Sequence, residues 1–399
     1  MNVFLRAATA LAAAACGLAQ AADAPAAPPA PASSPASRCV APGDDRAANR
    51  ACAAAIARQA EAELKADHVD AAIAAFARAD QFAPADLRFT TTRAGIALKK
   101  SGQLTPAGVE AAARAAPDDS GLAMMHAELA VSKKDWAGAL ADVDRVIAKR
   151  PDAPLAWEMR ATIDVARPDF DAARRDVAHA LQLDPTSAAS LRLRGILRNN
   201  AGDTVGALAD YQAAHASQPR AEDPFVIGST QFLLHQYGDA AASLATRAPA
   251  APEGTYWRLW RYMALARLTG VERASGSLGP GTPPGQPVGW PGPVVDFFHG
   301  SIDSTVLLAF ARKSQDAQDL SQVCEAHFYM AEDALLRQHG DAVGLFRQAI
   351  KECPQNFHEY EGAAAELRAM DLPLAAPGPT RAAAASAAAA SSPAAASAP

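Results

Sequence analysis

Along the middle of this chain, apolar residues recur with the spacing of a helix face and return with a long period. Phe76, Val143, Val177, Tyr211 and Leu244 each follow a small residue by four positions: Ala72, Ala139, Ala173, Ala207 and Ala240. Residues four apart share one face of a helix. Trp136, Phe170 and Tyr237 stand three positions before that alanine, and a proline follows it by twelve. Pro117, Pro151, Pro185 and Pro219 are evenly spaced, and Pro84 and Pro252 each fall one residue short of the same interval. Proline suits the turn after a helix, because it cannot continue one. An interval of about 34 residues is that of a helix–turn–helix repeat. The pattern predicts stacked antiparallel helix pairs, about six of them between Ala55 and Pro252. The alanine marks where the two helices of a pair approach most closely. Leu87 to Pro117 is the degenerate unit, with Pro106 opening its second helix.

From Tyr256 the register loosens. Tyr256 to Leu268 predicts an aromatic-rich amphipathic helix, and the Pro/Gly-rich run Ser275 to Gly292 predicts a long loop. Pro293 to Arg312 and Cys324 to Ile350 return to helix. Gly340, Ala342, Phe346, Ala349 and Pro354 match one last repeat.

Composition narrows the function classes. Of 399 residues, 50% are hydrophobic but only 6% aromatic, with alanine supplying most of the apolar fraction. Alanine favours helices and close helix packing over sheets. The net charge of −6 leaves no basic footprint for nucleic acid. No apolar run of about 18 residues follows the N-terminal segment, which excludes a polytopic membrane protein. Residues 1–21 read as a signal peptide: Arg6, an apolar stretch from Ala7 to Leu18, then Ala19-Gln20-Ala21 as the cleavage site. A competing use of Ala13-Ala14-Ala15 before Cys16 makes Cys16 a lipidation site. Either route predicts export, to the periplasm or as an outer-membrane lipoprotein. Residues 22–48 are a Pro/Ala-rich spacer and residues 371–399 an Ala/Pro/Ser tail, both expected to be disordered. Between them lie a repeat array (residues 49–254) and a C-terminal helical region (255–370) with the loop at 275–292.

The unit from Gly195 through Gly202, Ala207, Tyr211 and Ala214 to Pro219 resembles the tetratricopeptide repeat. So does the preceding unit, with Trp157, Ala161, Phe170, Ala173, Ala180 and Pro185, where Pro168 stands at a common turn-glycine position. The resemblance implies an all-α helix-turn-helix solenoid. The segments YWRLWRYMALAR, GWPGPVVDFFHGSI and CEAHFYMAEDALLRQHGDAVGLFRQAIKECPQNFHEYEGAAAEL resemble the end of NlpI-like tetratricopeptide proteins. That family implies an exported bacterial protein, dimeric and lipid-anchored in its best-known member, which brings peptidoglycan hydrolases to a processing protease. A longer Pro/Gly loop and an altered lipobox set this chain apart from it.

Beyond Cys16, the cysteines are Cys39, Cys52, Cys324 and Cys353, and an even number in an exported chain points to disulfides. The local pairing Cys39–Cys52 and Cys324–Cys353 is expected, because an antiparallel hairpin brings Cys324 and Cys353 together. The competing reading is a metal site of Cys324, His327, Cys353 and His358, whose spacing falls within the range of structural zinc. Oxidising surroundings favour the disulfide, so no metal and no cofactor are expected. No zincin, nucleophile-elbow or phosphate-loop motif is present, and no catalytic residue is assigned.

In a stacked array the first helix of each unit lines the concave face. Repeat register places Glu128, Val131, Glu158, Thr162, Arg192, Ile196, Asn199, Phe225, Ser229 and Phe232 there. Their mixed character suits a peptide or helix held by apolar anchors and a few charges. The tryptophans Trp257, Trp260 and Trp290 are candidates for capping the array, for a homodimer contact or for core. The expectation is a protein-binding scaffold of the bacterial cell envelope that recruits peptidoglycan enzymes or a protease. An assembly factor for pili, secretion or polysaccharide export is the alternative. Other proteins are the expected partners, with no nucleic acid and membrane contact only through a lipid.

Overall fold

The structure is a computed structural model that describes residue 36 and residues 39–245, 253–281, 289–313, 321–355 and 357–374. The signal peptide, Cys16, most of the spacer, nearly all of the tail and the centre of the Pro/Gly loop lie outside the described residues. Among the described residues there are nineteen α-helices and no strand. The chain divides into two compact units, residues 1–197 and 198–399, a boundary inside the expected 49–254 array.

The first unit contains α1 (Arg46–Lys65), α2 (Val69–Phe82), α3 (Leu87–Lys100), α4 (Pro106–Ala115), α5 (Ser120–Ser132), α6 (Trp136–Lys149), α7 (Pro154–Ala166) and α8 (Phe170–Leu183). Most of α9 (Ala188–Asn200) also belongs to it. Consecutive helices pair as the repeat period predicts. Ala72, Ala139 and Ala173 are fully buried where the partner helix crosses. Phe76, Val143 and Val177, one turn on, are buried beside them. The core is a series of small clusters, each made by neighbouring helices, such as Leu87, Met124, Val131, Val143 and Met159. The degenerate unit shows in α4, which has ten residues and buries Val109 alone. The Cys39–Cys52 disulfide, with a Cα–Cα distance of 5.6 Å, ties the segment before α1 to that helix.

The second unit holds the end of α9, then α10 (Thr204–Ser217), α11 (Asp223–Leu233), α12 (Tyr237–Ser243) and α13 (Glu253–Thr269). The short α14 (Val271–Ala274) runs into a 3-10 turn (Ser275–Leu278). After the Pro/Gly segment come α15 (Gly292–Phe298), α16 (Ser304–Ala311), α17 (Ser321–Arg337), α18 (Ala342–Glu352) and α19 (His358–Ala369). Here the interior is one large aromatic cluster that includes Trp260, Tyr262, Phe298, Phe328, Tyr329 and Phe346.

Two expectations are corrected in this unit. The helix read from Tyr256 to Leu268 is not amphipathic: Trp257, Leu259, Trp260, Tyr262, Met263 and Ala266 bury it on nearly all sides. Apolar residues flanked by Arg258, Arg261 and Arg267 imitate a two-faced helix in the sequence. Pro293 to Arg312 is helical as expected, in two pieces, because Gly300 takes a left-handed φ of 74° and Asp303 caps a new start on Val306 N–H. In α18 the fully buried residues are Phe346 and Ala349, with Ile350 close behind, while Ala342 is half-buried. Phe346 follows its Asp341 cap by five positions, whereas Ala207 follows Asp203 by four, so the last repeat runs in a different register from the one its proline suggested.

Helix starts carry a feature the apolar pattern did not reveal. The carboxylates of Asp135, Asp169, Asp203 and Asp341 accept the backbone N–H of Gly138, Ala172, Gly206 and Gly344 at 2.8–3.2 Å. An N-cap carboxylate satisfies an orphan donor and meets the positive end of the helix dipole. Asp135, Asp169 and Asp203 recur at the same interval as the prolines. The residue before each is left-handed: Lys134, Pro168 and Gly202.

Candidate functional site

The candidate groove residues fall into two sets. In the first unit, Glu128 on α5, Thr162 on α7 and Ile196 on α9 share one register position on successive first helices. All three are partly exposed. Glu128 has no hydrogen-bond or ionic partner among the described residues, and burial alone pushes its carboxyl up to about 7. Thr162 bonds back to the Glu158 carbonyl at 2.8 Å. Arg192, also partly exposed, donates to the Ala188 carbonyl at 3.4 Å. Ile196 leans on the cluster of Ala161, Val165 and Val177.

The other two predicted residues of this unit are packing elements. Val131 is buried. Glu158 is buried and accepts the hydroxyls of Ser187 and Ser190 at 2.5 and 2.6 Å, so it fastens α7 to the start of α9. A carboxylate there does the work of an inter-repeat clamp.

In the second unit Asn199, Phe225, Ser229 and Phe232 are all buried and do not face an open groove. Phe225 packs on Trp257 and Trp260, with ring centroids 5.8 and 6.3 Å apart. Phe232 meets Trp260 edge-on at 5.4 Å, and Ser229 bonds to the Val226 carbonyl at 3.1 Å. Asn199 donates at 3.5 Å to Thr230 Oγ1 and to Glu361 Oε2. These first-helix surfaces are covered by α13 and by α19, the last helix of the described chain. Repeat register has no means of showing that the chain returns to cover them.

The covering contact is polar. Arg267 on α13 donates to Glu332 on α17 at 2.9 Å and lies 3.1 Å from Glu366 on α19. Tyr256 and Trp290 donate to Glu325 at 2.8 and 2.6 Å, and Tyr329 donates to Glu359 at 3.0 Å. Burial raises the carboxyls of Glu325, Glu332 and Glu359 above the ordinary carboxylate range, and the neighbouring charge of Glu359 adds to the rise at Glu325. In the sequence these acids lie in the segments CEAHFYMAEDA and HEYEGAAAEL.

Trp257 and Trp260 are core residues and not a dimer face, while Trp290 is partly buried. Cys324 and Cys353 form a disulfide with Cα atoms 5.0 Å apart. Their sulfurs are thus not thiolate ligands, and the Cys/His metal reading does not hold. His327 instead pairs with Glu352 at 2.6 Å, and His358 lies 3.5 Å from Glu361. Among the described residues no helix is long and apolar enough to cross a membrane.

No known protein-family profile matches the chain. A TPR repeat-containing protein of Rhizobium etli is 29% identical over 85 residues, 21% of this chain. The match spans 42% of that relative's length. Among solved structures, a tetratricopeptide repeat protein from Parabacteroides merdae covers 56% of this chain and 90% of its own, at 14% identity and a TM-score of 0.37. PilW, a type IV pilus biogenesis factor, covers 58% and 92% at 16% identity and a TM-score of 0.36. Likenesses this distant carry no functional argument. The evenly spaced helix pairs, their buried alanines and their capped turns show that this chain is built from tetratricopeptide-type repeats.

Proposed function

We propose that this protein is an exported scaffold of the bacterial cell envelope that holds a peptide or helix of a partner protein along the first helices of its first unit. The observation that carries this reading is the column of Glu128, Thr162 and Ile196, repeated on successive helices and left partly exposed. A half-buried carboxyl without a partner is costly unless a donor arrives. Glu128 supplies the acceptor for a lysine, arginine or backbone N–H of the ligand, Ile196 an apolar anchor, and Arg192 a cation. Two disulfides suit an oxidising compartment, and the N-terminal leader pattern supplies the export route. Within that setting the partners we favour are peptidoglycan enzymes or a protease, as the NlpI-like C-terminal segments imply.

The test is cross-linking and affinity capture from intact envelopes with the wild-type chain, Glu128→Lys, and Cys16→Ala. Wild type recovers a peptidoglycan hydrolase or protease, and Glu128→Lys recovers at least about tenfold less, the size expected for reversing one interfacial charge. Equal recovery by wild type and Glu128→Lys removes the first-unit face from the binding site. Pilus or secretion components in place of envelope enzymes overturn the partner assignment. Release of Cys16→Ala from the membrane fraction identifies a lipid anchor.

A further inference from the structure

The last helix lies on the second unit as a ligand lies in a groove. His358, at the start of α19, sits against the Phe225 ring of α11 at 5.2 Å and the Trp260 ring of α13 at 6.1 Å. Two turns on, Glu366 lies 3.5 Å from His235, just past the end of α11, and 3.1 Å from Arg267 near the end of α13. Hence α19 runs parallel to α11 from near its start to just past its end, and meets α13 along the second half of that helix. Of these two helices, α11 is the one on which repeat register placed candidate binding residues, Phe225, Ser229 and Phe232.

The fit at the centre is close. A Cβ on Gly362 would stand 2.5 Å from the Phe328 ring, so the helix backbone itself touches the aromatic side chain. The apolar anchors beside it, Ala363, Ala364 and Leu367, are small apart from the leucine. Glu359, Glu361 and Glu366 are buried on the same helix. Asn199 Oδ1 and Glu332 Oε1 are buried at this contact without a hydrogen-bond partner. Three buried carboxylates and two orphaned acceptors make poor cement, since desolvating charge offsets much of what pairing returns. Buried charge of this kind instead discriminates between partners.

The contact between α17 and α18 is held covalently, without α19. The Cys324–Cys353 disulfide pins the end of α18 to α17, and only residues 354–357 connect that anchor to α19.

We propose that the second unit is a helix-binding groove whose resident ligand is the chain's own α19, and that its ligand in trans is an acidic amphipathic helix. That helix has small apolar residues at its centre and carboxylates two turns apart, as Glu359 and Glu366 are. The partner exchanges with α19, which holds the groove shut until then. The proposal rests on the scaffold reading above but uses a different face in a different unit.

The experiment introduces a protease site into residues 354–357 of the full-length oxidised chain and cuts it after folding. A fluorescent peptide of residues 357–371 is then added and followed by anisotropy. The nicked chain keeps its helical circular dichroism and takes up the peptide, whereas the uncut chain does so far more slowly. A peptide carrying Glu359→Lys, Glu361→Lys and Glu366→Lys competes at least about tenfold less well. Unfolding of α11, α13 and α17 once α19 is lost, or a folded nicked chain that never exchanges, overturns the proposal and makes α19 a permanent part of the core. Equal competition by the lysine peptide overturns the acidic specificity.

Gly362→Leu in the uncut chain gives an independent measurement. The wedge against Phe328 opens Arg368 to trypsin and speeds peptide uptake, while α17 and α18 keep their amide protection. Collapse of that protection counts against the proposal. Loss of capture by Glu128→Lys alongside absent exchange sinks this proposal alone; exchange alongside unaltered capture sinks the first-unit reading alone.

Discussion

In the first unit the interior is built from alanine, valine, isoleucine, leucine, methionine and a few phenylalanines in small clusters, each closed by helices near one another in sequence. In the second, a single cluster draws on α11, α13, α15, α17, α18 and α19, and it encloses Arg267 with Glu332 and Glu366. Phe225 and His358 meet although most of the second unit's sequence separates them, whereas Ala139 and Met124 meet within one helix pair. Local packing makes stability a sum over neighbours; non-local packing makes it one cooperative event. A single repeat sequence has thus been used for an additive array in one half and a globular core in the other.

The largest test of this contrast is Trp260→Ala. Removing a fully buried indole costs about 3–5 kcal/mol, and amide exchange should lose protection from α11 through α19 together. Val143→Ala in the first unit costs less, about 1–3 kcal/mol, with the loss confined to α5 through α8. If exchange in Trp260→Ala changes only in α13, the second unit is as additive as the first and the comparison fails.

The two disulfides sharpen the same point at a slightly smaller scale. Closing the 29-residue separation of Cys324–Cys353 contributes about 3–4 kcal/mol, and the 13-residue separation of Cys39–Cys52 about 3 kcal/mol. Replacing Cys324 and Cys353 by serine lowers the melting temperature of the whole second unit. Replacing Cys39 and Cys52 frees the segment before α1 and leaves α5 to α8 unchanged. Mass-resolved exchange on both variants distinguishes the local from the global response.

Next comes pH. The carboxyls of Glu325, Glu332 and Glu359 lie above their ordinary range in the folded chain, chiefly through burial. The folded state therefore holds protons that the unfolded state has released. The stability these carboxyls contribute is fully present below about pH 4.5 and is lost as pH rises through the raised folded-state values, by at most about 1.4 kcal/mol per pH unit for each carboxyl. His358, raised by Glu361 against the opposing effect of burial, acts in the same direction. The second unit should melt at lower temperature at pH 9 than at pH 6, and by more than the first, where Glu128 is a comparable group. Glu332→Gln should flatten that slope. A slope unchanged by the substitution would mean that the Arg267 network is not its source.

The smallest effect concerns the turns. Lys134, Pro168 and Gly202 occupy equivalent left-handed positions, with φ of 60°, 29° and 85°. Glycine adopts that conformation freely, while the proline ring resists positive φ. Pro168→Gly should raise the stability of the first unit by up to about 1 kcal/mol, the strain relieved less the entropy glycine adds to the unfolded chain. Gly202→Ala should lower that of the second by a similar amount. A lower melting temperature for Pro168→Gly would show that proline's stiffening of the unfolded chain outweighs the strain.

What the sequence determined by itself was everything with a period. Alanines at the helix crossings, bulky residues one turn on and prolines at the turns state a short-range rule that recurs once per repeat, so the helix pairs and their inward faces could be read off. The Asp135, Asp169 and Asp203 caps obey the same rule, recurring at the interval of the prolines. The Cys324–Cys353 disulfide followed from hairpin logic and Cys39–Cys52 from closeness along the chain. The tertiary structure decided what has no period. Whether Phe225 and Phe232 face a partner or the core depends on where α19 ends up, and nothing near residue 225 encodes that. Glu359, Glu361 and Glu366 look like surface charge, because a sequence window registers polarity but not the Asn199, Arg267 and His235 that meet them from other helices. The first unit stayed predictable because its contacts are local; the second did not, because its last helix folds back over its own repeats.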